Sequence, residues 1–332
     1  MAFFVWDSQT QRYFNYLILS ASALYLIYRI FKRKQRTFEL VGNVESLYSF
    51  PVKSCGGVKL EFAECTKLGL KYKDVTDRQW LIVDSNNKMI DLKSKPRLWL
   101  VKPRITDEHL ILTAPDMIPL KLPKIIHSSA DNTTNTLFYR LYGDDIVEAV
   151  DCGLEASQWI SDYLILPGTR IVFSAPDLPK RDITSIPRPW KNNAKKGDMS
   201  VFSYMTPYML ESASSLDEVN QGLENPAEML RFRPGIVITG SKPFDEDTWE
   251  YIQIGDDNLF RIVEPCRRCI ITTINPNTGI KDKQVQPLKH LRSIRCRKPY
   301  GQSPCFGIYI TLDSTGGDCM IRVGQPIRIL RR

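Results

Sequence analysis

Two thiols stand three residues apart in Glu264-Pro265-Cys266-Arg267-Arg268-Cys269, between two runs that read as strands. Arginines beside a thiol favour the thiolate, the form that binds soft metals or attacks electrophiles. One specialised thiolate, a redox dithiol and inert packing all fit this spacing. A structural zinc site needs a second pair of ligands, whereas Cys296, Cys305 and Cys319 are scattered singly. A dithiol of the thioredoxin kind expects a helix start, and here β-branched Ile270, Ile271, Thr272 and Thr273 follow. His109, His127 and His290 each stand alone, which disfavours a zinc centre built on histidines.

A second segment, Tyr48-Ser-Phe-Pro-Val-Lys53-Ser54-Cys-Gly-Gly57, combines a proline-bounded strand end, a lysine, a hydroxyl and two glycines. Such a turn lets backbone N–H groups and a cation approach one anion. It lacks the spacing of a nucleotide P-loop, so ATP is not implied, and a plain basic hairpin turn is the alternative. Asp77-Arg78 and Arg231-Phe-Arg233-Pro lie beside apolar runs, where an arginine is either an anion clamp or a solvated edge residue.

The elements that must position these residues are mostly strands. From Glu39 to about Leu122 the pattern has period two, as in Val58, Leu60 and Phe62 alternating with Lys59 and Glu61. Trp80–Val83 and Leu98–Val101 read as further strands. Near Asp151–Leu164 the period becomes helical, with Trp159, Ile160, Tyr163 and Leu164 on one face and Asp151 as cap. Pro176–Lys196, with four prolines among many basic residues, reads as a loop or domain junction. Beyond it, Ser215-Leu-Asp-Glu218 has capping-box spacing for a short helix with Leu216, Val219 and Leu223 inward. Strands are then expected at Ile236–Thr239, Tyr251–Ile254, Leu259–Val263, Ile270–Ile274, Phe306–Leu312 and Met320–Val323. The expected class is mostly β with flanking helices (α+β): a β-rich, barrel-like domain over 37–175, a linker over 176–196, and a β-barrel domain over 197–332 carrying the thiol pair.

Residues 1–36 hold Arg12, Arg29, Lys32, Arg33, Lys34 and Arg36 against Asp7, so only +3 of the chain's net +8 belongs to residues 37–332. A nucleic-acid partner is not expected, because phosphate backbones call for a concentrated basic face. The excess flanks an uncharged run, Tyr13–Tyr28, that makes about 24 Å of helix, short of the roughly 30 Å hydrocarbon core of a bilayer. Snorkelling of Arg12 and Arg29 and the interfacial tyrosines can close that gap. A membrane anchor helix over about 13–30 is therefore expected. The basic cluster that follows argues against signal cleavage and places the body in the cytosol. A short anchor with basic flanks suits the mitochondrial outer membrane, with the endoplasmic reticulum as the alternative. The eight cysteines are too sparse for a disulfide scaffold and are expected to be mostly reduced.

Taken in order, Tyr48–Cys55, Asp77-Arg78, Phe232-Arg233-Pro234, Arg268-Cys269-Ile270, Thr272-Thr273, Pro276–Gly279, Ser303-Pro304, Phe306-Gly307 and Val323-Gly324 resemble one family over nearly the whole soluble chain. It is the family of MOSC-domain proteins, and within it the mitochondrial amidoxime-reducing components. That resemblance implies a pyranopterin molybdenum cofactor (Mo-molybdopterin) with Cys269 as its protein thiolate ligand and catalytic residue. It places Lys53, Ser54, Arg78, Met205, Thr206, Arg233, Arg267, Arg268 and Tyr309 at cofactor-binding positions.

The same resemblance implies reduction of N-hydroxylated compounds (amidoximes, hydroxylamines, N-oxides), with electrons from cytochrome b5 and its NADH-dependent reductase. No Rossmann or flavin motif would let the chain oxidise NADH itself. Gly235, Asn275, Asn277, Gln325 and Tyr204-Met205-Thr206 depart from the family pattern, and Arg267 occupies a position often held by a small polar residue. A cofactor or sulfur carrier without turnover is the alternative from another class.

Overall fold

The computed structural model describes residue 9 and residues 37–128, 136–143 and 145–332. The expected anchor helix lies outside these. Among the described residues no helix is long and apolar enough to cross a membrane.

Seven strands make the main body: β1 (Glu39–Ser49), β2 (Tyr208–Ser212), β3 (Ile236–Thr239), β4 (Trp249–Ile254), β5 (Asn258–Arg267), β6 (Cys305–Thr315) and β7 (Pro326–Arg331). Their order is β3-β2-β6-β5-β4-β7-β1, and β1 pairs again with β3, which closes the barrel. Closure removes the exposed edges that an open sheet would leave. Strands β2 and β3 run parallel, joined through helix α2 (Ala213–Gln221). Val44 and Leu47 both reach the core although three positions separate them, because the pairing of β1 with β3 shifts register between Val44 and Ser46. A bulge of that kind inserts one extra residue and restores the inward face. The interior is filled by Leu210, Ile236, Ile238, Trp249, Ile252, Phe260, Ile262, Ile308, Ile310, Ile327 and Ile329. Each fully buried aliphatic or aromatic side chain contributes roughly 1.5–3 kcal/mol.

A second core lies under a four-stranded sheet ordered 136–142, Asp145–Asp151, Arg170–Phe173, Trp80–Val83. Trp80–Val83 is buried at every position, as its unbroken apolar run requires. Helix α1 (Leu154–Leu164) buries Trp159, Ile160, Tyr163 and Leu164 against this sheet, the face its periodicity marks. Asp151 is not its cap: Gly153 opens the helix without a side-chain cap, and Asp151 accepts instead from the Gly153 N–H at 2.8 Å. The segment 176–196 is mostly irregular, with Arg181–Asp182 paired to Met199–Ser200. The architecture is thus mostly β with helices, as expected.

Three further local expectations give way. Pro96–Leu100 is a 3-10 turn that buries Leu98 and Trp99, because proline at its start presets φ. Ile270–Thr273 is also a 3-10 turn. The Thr272 and Thr273 hydroxyls donate to the carbonyls of Cys269 and Ile270 at 3.0 and 2.7 Å, and this local bonding outweighs the β preference of four branched residues. Ser215 does not cap a helix: α2 begins earlier, and Ser215 sits inside it with its hydroxyl on both Glu246 oxygens at 3.0 Å. Further elements are helix α3 (Leu288–Arg295), a three-stranded sheet of Lys102–Ile105, His109–Thr113 and Leu120–Pro123, and a four-stranded sheet ordered Met320–Arg322, Phe62–Thr66, Gly69–Tyr72, Val75–Thr76.

Candidate functional site

Strand β5 ends at Arg267, and the chain then turns through Cys269 into the 3-10 turn. The Cys269 carbonyl accepts from the Thr272 N–H at 3.1 Å and from its hydroxyl, so the backbone carrying the thiol is held from below. Cys269 is exposed and Cys266 is buried. The two thiols therefore face different surroundings. Cys269 borders a cleft of about 300 Å³ also lined by Lys53, Ser54, Arg78, Thr206, Arg233, Arg267, Arg268 and Tyr309. Of the residues that the resemblance places at the cofactor, only Met205 does not line it. Its side chain is fully buried with Ile183 and Val263.

The deep wall is cationic. Arg233 is stacked 4.3 Å from the Phe50 ring and 4.5 Å from Trp99, and its Nη1 donates to the Cys55 carbonyl at 2.7 Å. Its Nη2 is buried without a hydrogen-bond partner. Burial and the neighbouring Arg78 both weigh against its charged form, yet a guanidinium does not give up its proton in a protein. Arg78 is ion-paired with Asp77, and its Nη2 reaches the Arg233 carbonyl at 3.4 Å. Asp77 in turn accepts from the Phe50 N–H at 2.6 Å, which anchors the ring beneath both arginines. A Cβ on Gly57 would sit 2.6 Å from that ring, so only glycine lets the turn pass over it. Lys53 donates to the Phe202 carbonyl at 2.6 Å and lies 4.9 Å from the Tyr142 ring centre. Burial first, then Arg78, Arg181 and Arg233, push its pKa well below the ordinary lysine value.

Ser54, Arg78 and Arg233 all have left-handed backbone, with φ of 73, 53 and 59°. Each such residue without glycine's freedom costs roughly 1–3 kcal/mol. Three of them on one cleft wall mark a surface shaped for a ligand. Lys93 and Arg231 add positive charge, and Asp91 is the only carboxylate among the lining residues.

Arg268 is different. It donates to the carbonyls of Phe306 and Phe232 at 2.8 and 2.7 Å and is paired with buried Glu211. Burial raises the Glu211 carboxyl, opposed by Arg268. Arg268 thus props the cleft floor from behind. Arg267 stacks 4.0 Å from Trp190, with Nη2 at 3.4 Å from the Tyr204 hydroxyl. The two arginines beside Cys269 in sequence therefore point to other partners, so the electrostatic argument drawn from adjacency does not describe this geometry. Thr206 donates to the Tyr208 carbonyl at 2.7 Å, and burial drives the Tyr309 hydroxyl well above the ordinary tyrosine value.

Sequence inspection missed Tyr142 and Asp91 in the lining, and the contacts by which Arg188 and Trp190 hold the lining residues Tyr204 and Arg267. Trp190 donates to Glu264 at 2.8 Å and Arg188 lies 4.8 Å from the Tyr204 ring. A tryptophan inside the proline-rich segment was the available signal, since a large aromatic in a polar loop needs a surface to cover.

No three His, Cys, Asp or Glu side chains cluster as a metal site among the described residues. A metal at Cys269 would have to arrive with most of its ligands already attached. The cationic wall, the unpartnered Arg233 nitrogen and one exposed thiol fit a phosphorylated metal cofactor of that kind.

Residues 41–167 match the MOSC N-terminal beta barrel domain and residues 198–328 the MOSC domain. Mitochondrial amidoxime-reducing component 1 of Mus musculus is 35% identical over 303 residues, covering 90% of this chain and 85% of that protein. The Homo sapiens protein of the same name is 36% identical over 311 residues, covering 90% and 86%. Mitochondrial amidoxime reducing component 2 of Bos taurus is 36% identical over 300 residues, covering 89% and 85%. Similarity of this extent, along both domains and through every segment that lines the cleft, makes the chain an oxidoreductase of the MOSC-domain family that includes the mitochondrial amidoxime-reducing components.

Proposed function

We propose that the cleft binds a pyranopterin molybdenum cofactor, with Cys269 as its protein ligand, and that the enzyme reduces N-hydroxylated compounds. The observation that carries this reading is the pairing of one exposed thiol with a cationic wall whose Arg233 nitrogen has no protein partner. When bound, the cofactor supplies the redox centre at which an N–O bond is exchanged for N–H and water.

The chain's own residues bind and position. Lys53, Arg78 and Arg233 hold the phosphate, arginine being suited to bidentate contact. Ser54 contributes a hydroxyl at the same wall. Thr206 and Tyr309 lie further along the lining, and Met205 serves by packing beneath it. Arg268 stays fixed by Glu211 and two carbonyls, so the floor does not move as charge changes above it. Arg267 and Tyr204 line the cleft with Cys269 and set what enters, Arg267 being stacked on Trp190.

Electrons come from cytochrome b5 and its NADH-dependent reductase, with the +3 of residues 37–332 giving a mild attraction to an acidic haem protein. The basic flank after the apolar run, together with relatives named as mitochondrial, supports attachment to the outer mitochondrial membrane with the body in the cytosol.

The test is molybdenum content per chain by plasma mass spectrometry, on protein from a cofactor-producing host, beside Cys269→Ala. Near-stoichiometric metal in the parent is expected, with benzamidoxime reduction that requires added cytochrome b5 and reductase. In Cys269→Ala turnover should fall at least 10³-fold, on the order of 4 kcal/mol. Metal-free parent protein, from a host that loads a control molybdoenzyme, sinks the proposal. Retained metal without turnover of any N-hydroxylated compound turns it into the carrier alternative.

A further inference from the structure

Away from the cleft mouth, two cysteines face each other across a strand pair. Strand Phe62–Thr66 pairs antiparallel with Met320–Arg322 in the register Phe62↔Arg322, Ala63↔Ile321, Glu64↔Met320. One step further along the same register places Cys65 opposite Cys319, and the Cys65 N–H donates to the Cys319 carbonyl at 2.7 Å. Directly opposed residues of a hydrogen-bonded antiparallel pair have Cα atoms about 5.5 Å apart, inside the roughly 4.4–6.8 Å range that a disulfide spans. Alternation puts both side chains on the face that carries fully buried Ala63 and Ile321, so the two sulfurs share one side of the sheet.

We propose that Cys65 and Cys319 form a reversible cross-strand disulfide under peroxide, making this strand pair an oxidant-responsive modification site. The asymmetry of the pair assigns the order of events. Cys319 is partly exposed and is the sulfur an oxidant reaches, whereas Cys65 is 3% exposed. Burial, with Cys319 and nearby carboxylates adding to it, pushes the Cys65 thiol up, so it does not lead. Hydrogen peroxide converts the Cys319 thiol to a sulfenic acid with release of one water. The Cys65 sulfur then attacks the Cys319 sulfur, the S–S bond forms, the S–O bond breaks, and the hydroxyl leaves with the Cys65 proton as a second water. Two thiols are oxidised by two electrons and one peroxide is reduced. A thiol reductant reverses the bond by exchange.

The site adjoins the functional cleft through one hydrogen bond. Tyr208, a cleft-lining residue, donates its hydroxyl to the Thr66 carbonyl at 2.5 Å, and Thr66 follows Cys65 on the same strand. The disulfide would therefore stiffen the support behind Tyr208. Nearly the whole folded chain lies between the two cysteines, so the bond closes a long loop of the unfolded chain.

The experiment treats the full-length protein with hydrogen peroxide, alkylates the remaining thiols and maps them by mass spectrometry. A Cys65–Cys319 linked peptide in most molecules is expected, with an intact-mass loss of two hydrogens, both reversed by dithiothreitol. Cys319→Ser, a change at a partly exposed position, should leave Cys65 alkylatable at the same dose. Dominant pairing of Cys65 or Cys319 with any third thiol of the chain overturns the assignment. So does overoxidised Cys319 beside intact Cys65, or full alkylation of both at a dose that oxidises other thiols of the chain.

Discussion

Two buried arginines stand within the same cleft wall and are treated in opposite ways. Arg268 is paired with Glu211 and donates to two carbonyls, whereas Arg233 keeps one buried nitrogen without any protein partner. A charge that a fold needs for itself is given partners by the fold. A charge left short of partners, on a residue held in left-handed backbone, is waiting for something outside the chain. The contrast separates the frame of the cleft from its binding surface more sharply than burial does, because both side chains are almost fully buried.

The strongest way to break this contrast is Glu211→Ala. It leaves Arg268 buried against an empty space, and the folded state should lose about 3–5 kcal/mol, read as a lower urea midpoint with or without cofactor. Arg233→Met should behave in the reverse sense. The cofactor-free chain should unfold at equal or higher urea, because a desolvated and repelled cation is gone. Cofactor retention should fall, by about 10- to 100-fold for a lost charge-assisted contact of roughly 1.5–3 kcal/mol. Arg233→Lys should restore little of it, since a lysine cannot reproduce the stacked fork between Phe50 and Trp99. Equal loss of stability in both variants would erase the distinction between frame and surface.

Much of this surface was legible before any coordinates. Lys53-Ser54, Asp77-Arg78 and Arg233-Pro234 stood out as anion-clamp candidates, each with a plain turn or edge reading beside it, and the family resemblance is what drew them to one site. Barrel strands were legible from period-two alternation, and α1 from its apolar stripe. What escaped were facts of tertiary context. Leu98–Val101 and Ile270–Ile274 carry strand-like composition but make 3-10 turns, set by Pro96 and by threonine hydroxyls. Adjacency misled at Arg267 and Arg268, whose guanidinium groups leave Cys269 for Trp190 and Glu211. Nothing in the sequence ties Glu211 to Arg268, because that pair depends on how β6 brings β2 and the end of β5 together.

The smallest effect is also the most discriminating, because it carries two opposite signs. Lys53 belongs with Arg233: buried, near Arg78 and Arg181, and shifted well below the ordinary lysine value by burial and those cations. For a base with a depressed folded pKa, the unfolded chain holds the proton over the interval between the folded and unfolded values. Stability of the cofactor-free protein should therefore rise with pH across that interval. Over the same interval Lys53 loses its charge in the folded chain, so affinity for an anion should fall. Inorganic phosphate followed by calorimetry should bind up to tenfold more weakly on the alkaline side, once its own ionisation is accounted for in parallel titrations of Lys53→Met. That variant should flatten both slopes while leaving the Glu211–Arg268 pair, and the urea sensitivity it governs, unchanged. Slopes of the same sign in the parent would mean that Lys53 is part of the frame after all, held by the Phe202 carbonyl and the Tyr142 ring rather than kept for a ligand.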